Sequence, residues 1–170
     1  MNVSIVAACL AVGLAGYLLV TDWVNLAPWN NVENLPVRQK ALISVTNYTP
    51  LLFIAFAILQ PSRILAALAI VVGGIDLLMH VAYWWLPYLR GGSEAQKAEH
   101  ARLFGGTTTF LPAIGDHPIP NAQHFVVGVL MLAMVVTSIV ATIGLFGSGG
   151  PGEACSRLLA PSRARPSFLR

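Results

Sequence analysis

Four stretches of this chain, 3–20, 41–59, 64–86 and 125–146, are nearly unbroken apolar runs separated by polar, Pro- or Gly-containing sequence. A helix needs about 20 such residues to cross a hydrocarbon layer about 30 Å thick. Each run therefore predicts a membrane-spanning helix. The last helix is expected to start earlier, because Asn121 is a good N-cap, giving spans of 3–20, 41–59, 64–86 and 122–146. The fold class that follows is all-α: an integral membrane four-helix bundle over 1–146 with one long structured loop at 87–120. The remaining 147–170, rich in Gly, Ser, Pro and Arg, reads as a disordered basic tail.

Polar and small residues interrupt the apolar pattern at informative places. The first span carries Ala7, Ala8, Ala11, Gly13, Ala15 and Gly16, small side chains that let membrane helices approach closely. The second opens on Ser44, Thr46, Asn47, Tyr48 and Thr49 and then meets Pro50. Proline frees a carbonyl one turn earlier, so a kink lined by polar groups is expected there. The short Gln60–Arg63 turn makes the second and third helices antiparallel neighbours. Within the long loop, Ser93 with Gln96 has capping-box spacing and Gly105-Gly106 gives a stop, predicting a short surface helix over 93–104. The following segment, 105–124, is Gly-, Pro- and Thr-rich but also holds Phe110, Leu111, Ile114 and Ile119. Such apolar content predicts an ordered loop folded over the bundle as a lid.

Composition agrees with the periodicity. The chain has 170 residues, is 56% hydrophobic and only 10% charged, against about 25% charged in soluble domains. Its net charge of +3 sits partly in the Arg-rich tail, so contact with membrane lipid is the expectation and nucleic acid is not. Lys and Arg divide evenly between the two ends of the bundle: Arg63, Arg157, Arg163, Arg165 and Arg170 on side A; Arg38, Lys40, Arg90, Lys97 and Arg102 on side B. The acids do not, since Glu153 alone falls on A against Asp22, Glu33, Glu94, Glu99 and Asp116 on B. The acid-poor tail favours side A as cytoplasmic, which puts both termini on the cytoplasmic side of what is expected to be the plasma membrane. Val6-Ala7-Ala8-Cys9 resembles a lipoprotein cleavage box, yet no Lys or Arg precedes residue 38 and the apolar run continues past Cys9, the reverse of a signal peptide. Cys9 and Cys155 show no spacing that suggests a disulfide framework.

The chemistry lies at one end. Every Trp, Tyr and His is placed toward side B, and Asp76 lies about 15 Å below that boundary by the helical rise, near the midplane. Asp76 and His80 are four residues apart and share a helix face. An ionisable group at that depth costs about 2.5–3.5 kcal/mol on insertion scales and is usually turned inward, often for function. A dry site favours the neutral acid and a nearby imidazolium favours the carboxylate; either state can move a proton. The first turn of the last helix favours a neutral His124. We therefore read Asp76, His80 and His124 as catalytic candidates. Tyr17, Asn47, Tyr48, Tyr83, Trp84, Phe110 and His117 are substrate-binding candidates, with Asp116 able to cap the cluster from the loop. The blander alternatives are an Asp76 bonded to Asn47 or to a carbonyl freed by Pro50, and an aromatic belt that only anchors the bundle. Glu99 and His100, on the surface helix, read as solvated.

No metal is expected, because the His residues lack tight ligand spacing, and no cofactor, because no Gly-rich phosphate loop is present. These features point to a membrane-embedded enzyme performing acid/base chemistry, isomerisation or cyclisation, on a lipophilic small molecule such as an isoprenoid, polyketide or quinone. Two other classes fit the same residues: a non-catalytic binding or accessory subunit, and a proton- or metal-handling carrier. Homo-oligomerisation and docking to a larger membrane partner both stay open.

Overall fold

A computed structural model of the protein describes residues 2–147; most of the expected disordered tail, and Cys155 with it, lies outside them. Among the described residues there are five helices of more than one turn: α1 Val3–Trp23, α2 Val37–Ile58, α3 Arg63–Arg90, α4 Glu94–Phe104 and α5 Ala122–Gly147. All but α4 are long and apolar enough to cross a membrane. Going round the bundle, α1 packs on α2 and α5, and α3 closes the ring against α2 and α5.

The small residues of α1 divide by face. Ala7, Ala8, Ala11 and Ala15 are buried with Leu14 and Leu18, on the 3–4-residue spacing of one helical stripe. They meet Leu51, Ile54 and Ile58 of α2 and Met131, Met134 and Val135 of α5 in the core. Gly13 and Gly16 face outward, and a Cβ added at either would touch nothing. Close approach is instead made by Gly73 of α3, where an added Cβ would lie 3.3 Å from Val135 and 3.4 Å from Ile54. The outer surface is apolar, as with Ile64 and Leu78, and suits a hydrocarbon surrounding.

Helix ends differ from the sequence expectation in two instructive ways. The second helix begins at Val37 and runs without interruption through Pro50. The third does not stop before Pro87 but continues to Arg90, so the long loop starts at Gly91 rather than at residue 87. The reason lies in Val81–Trp85, which form a π turn closed by the Leu86 N–H on the Val81 carbonyl. A wider turn gives the proline ring room against the carbonyl one turn back, where a regular α-helix would clash.

Both expected caps are formed. Ser93 and Gln96 make the reciprocal capping box, with Ser93 N donating to Gln96 Oε1 at 2.9 Å and Gln96 N to Ser93 Oγ at 3.3 Å. Asn121 Oδ1 accepts the His124 backbone N–H at 3.1 Å. The loop before it is ordered: Ala122 N donates to Thr108 O, Thr108 N to Pro28 O, and Tyr88 Oη to Pro112 O.

Candidate functional site

α2 and α3 are joined by a tight turn at side A, and their opposite halves stand on either side of a cavity of about 470 Å³. α2 contributes Ile43, Asn47 and Leu51; α3 contributes Asp76, Met79, His80, Tyr83 and Trp84. Behind them stand Leu14, Leu18 and Asp22 of α1 and Gln123, His124, Val127 and Met131 of α5. At side B the cavity is lined by Asn31, Val32 and Leu35 of the first loop and by Glu99, Leu103 and Phe104 of α4. Met79 and Tyr83 are among the wall residues yet 65% and 60% exposed, so the wall reaches the outer face of α3.

Asp76 and His80 both line this space, as expected from their i, i+4 spacing. Among the described residues Asp76 makes no hydrogen bond or ion pair, neither with Asn47 nor with the backbone before Pro50. His80 is buried to 9% exposure and its Nε2 has no hydrogen-bond partner among the described residues. The ring fits because residue 128 is glycine: an added Cβ would lie 2.9 Å from His80 Nε2 and 3.4 Å from Trp85 Nε1. The π turn that accommodates Pro87 also shifts the register of α3, burying Trp84 while Tyr83 stays exposed. Trp84 stacks on His124 with ring centroids 3.6 Å apart and planes 24° from parallel, and meets Phe104 edge-on at 4.9 Å.

Four substrate-binding candidates lie elsewhere. Tyr17 Oη accepts from Trp29 Nε1 at 2.8 Å, and Phe110 packs edge-on against Trp29 and Phe125, so both tie the loops to the bundle. Tyr48 Oη donates to Asp22 Oδ2 at 3.1 Å and accepts from Ser44 Oγ; it braces a cavity residue without lining the cavity. His117 Nδ1 donates to the Tyr88 carbonyl at 2.7 Å, and Asp116 pairs with Lys97 of α4 at 2.5 Å. Asn47, Tyr83 and Trp84 line the cavity with the three catalytic candidates.

Several wall residues were not singled out from sequence: Asp22, Gln39, Gln123 and Glu99. The signal for Glu99 was present. Glu99 and Leu103, like His100 and Phe104, are one turn apart, and the four form a stripe on one side of α4. That stripe docks on the bundle: Glu99 lines the cavity while held by Arg102 through two bonds of 2.6 and 2.8 Å, and His100 meets Trp84 and Phe104. Burial holds the His100 imidazole below its ordinary 6.5, opposed in part by the Ile119 backbone. A histidine whose folded value lies below its unfolded one stabilises the docked state fully above pH 6.5. That contribution is lost as pH falls below it, because the undocked ring takes up the proton more readily. Amide exchange in α4, corrected for intrinsic rates, should therefore lose protection between about pH 7.5 and 5.5. His100→Phe should abolish the change; an unaltered pH response in that variant would clear His100 of the role.

Among the described residues no three His, Cys, Asp or Glu side chains are grouped to hold a metal ion. Comparisons of the chain with protein-family models, curated proteins and solved structures return no match.

Proposed function

We propose that this chain is a membrane-embedded enzyme that performs acid/base chemistry, isomerisation or cyclisation, on a lipophilic small molecule. One observation carries the reading: a cavity of about 470 Å³ within the bundle is lined by Asp76, His80 and His124 together with apolar side chains such as Leu14, Leu51 and Met131. An ionisable side chain without a partner, set in apolar surroundings beside imidazoles, suits proton transfer to a substrate that itself carries no ionic group. The volume falls in the range of small-molecule sites. The wall includes Asp22, Asp76 and Glu99 but neither Lys nor Arg, which disfavours fatty acids, phosphates and other anions. Exposed Met79 and Tyr83 on the wall suit a ligand arriving from the bilayer between α2 and α3. In this reading the protein sits in the plasma membrane with side A at the cytoplasm.

The test is chemical. Protein purified in mild detergent should carry an uncharged apolar compound, identified by mass spectrometry of its organic extract, or bind one such as a quinone or isoprenoid. Ile43→Trp, which fills the cavity from a half-buried wall position, should lower retention about tenfold or more, a loss of about 1.4 kcal/mol of binding. Equal retention by both proteins would place the compound outside the cavity and remove the support.

A further inference from the structure

We propose that Asn121 is a positioning residue that holds His124 as its neutral Nδ1–H tautomer and so presents Nε2 to the cavity with a free lone pair. The assignment follows from two bonds to one atom. Asn121 Oδ1 accepts the His124 backbone N–H at 3.1 Å, and His124 Nδ1 lies 2.6 Å from the same oxygen. A backbone N–H has only a proton to offer, so the atom facing it is the amide oxygen and not the amide nitrogen. An oxygen so identified can only accept from the ring, and Nδ1 must carry the ring proton. In a neutral imidazole the other nitrogen is then unprotonated. Trp84, stacked on the ring, fixes its plane, and His124 belongs to the cavity wall.

Asn121 is fully buried and its Nδ2 has no hydrogen-bond partner among the described residues, an arrangement that costs stability. Aspartate would cap the helix equally well and carry no idle donor. It would also set a negative charge against the ring and favour the imidazolium, which has no lone pair to offer. Asparagine is the cap that fixes the tautomer without charging the ring. The site is built around it: Ala122 N donates to Thr108 O at 2.7 Å, and Asn121 pairs with Thr109 in an isolated bridge, so the long loop holds the cap in place.

The tautomer requires no reaction and can be read from the protein alone; only its use as a base rests on the proposed function. The experiment is nitrogen NMR of the intact protein in detergent with ¹⁵N-labelled histidine, the His124 signals being identified by their loss in His124→Gln. A protonated, pyrrole-type Nδ1 and an unprotonated, pyridine-type Nε2 are expected. Asn121→Gly keeps an acceptable helix cap but removes the acceptor, and should move a substantial fraction of His124 to the Nε2–H form. Asn121→Asp should keep Nδ1 protonated and draw a proton onto Nε2 as well. Unchanged His117 signals, from a ring bonded to the Tyr88 carbonyl, report that each variant is folded. A pyridine-type Nδ1 in the wild type, or an Asn121→Gly spectrum still purely Nδ1–H, overturns the proposal.

Discussion

Replacing Asp76 with Asn is expected to cut turnover of the cavity's substrate by about a hundred- to ten-thousand-fold, the usual contribution of a placed general acid or base. The variant should stay folded. Asn is nearly the shape of Asp and keeps a carbonyl acceptor, but its amide neither gives nor takes a proton at useful rates. Asp76 makes no hydrogen bond or ion pair among the described residues, so the exchange breaks no protein contact. It also removes an ionisable group from an apolar span, where charge is costly, and the thermal midpoint should be unchanged or higher. The two measurements separate the competing roles. Conversion of the retained compound at the wild-type rate by purified Asp76→Asn would end the acid/base reading. A variant that loses its fold, or its binding of α3 to the rest of the bundle, would make Asp76 a structural residue.

How much of this was visible in the chain depends on the range of the interaction. The four spans were legible because a membrane helix satisfies its backbone internally, leaving the apolar run as the signal; the α4 capping box and the Asn121 cap were legible because their partners lie three residues away. The shared wall position of Asp76 and His80 was legible for the same reason. Pro87 misled, since its cost was absorbed by a π turn that no local pattern announces. The loop residues depended on contacts across the fold. His117 bonds Tyr88, 29 positions away, and Phe110 meets Trp29, so chemistry that looked available for a substrate is spent on holding loops. Glu99 was hidden by the opposite error: polar composition made α4 read as solvated, whereas Glu99, Leu103 and Phe104 line the cavity and His100 packs on Trp84.

Asn30→Ala should be among the most destabilising single changes in the protein, at about 3–6 kcal/mol, although nothing in the sequence sets Asn30 apart from Asn25 or Asn31. Its side chain is 1% exposed and makes three bonds to backbone: Nδ2 donates to Thr21 O at 2.7 Å and to Val24 O at 2.9 Å, and Oδ1 accepts from Leu26 N at 2.6 Å. The last carbonyls of a helix have no partner within it, and here Asn30 supplies one where α1 enters the first loop. Alanine leaves these backbone groups without their partner, each costing about 1–3 kcal/mol where water does not reach it. The loss spreads because Thr21 also accepts from Gln123 of α5 at 3.0 Å, linking the end of α1 to the wall of the cavity. Asn25 provides the control: its bond to Glu33 is exposed, and Asn25→Ala should change stability by no more than about 0.5 kcal/mol. Thermal unfolding of the two variants in the same detergent checks the contrast, and equal midpoints would deny Asn30 its role. Since Asn31, Val32 and Leu35 follow directly and line the cavity at side B, a folded remnant of Asn30→Ala should also retain less of the apolar ligand. Stability and site would then fail together, because one buried amide fixes both the end of a helix and the wall built on it.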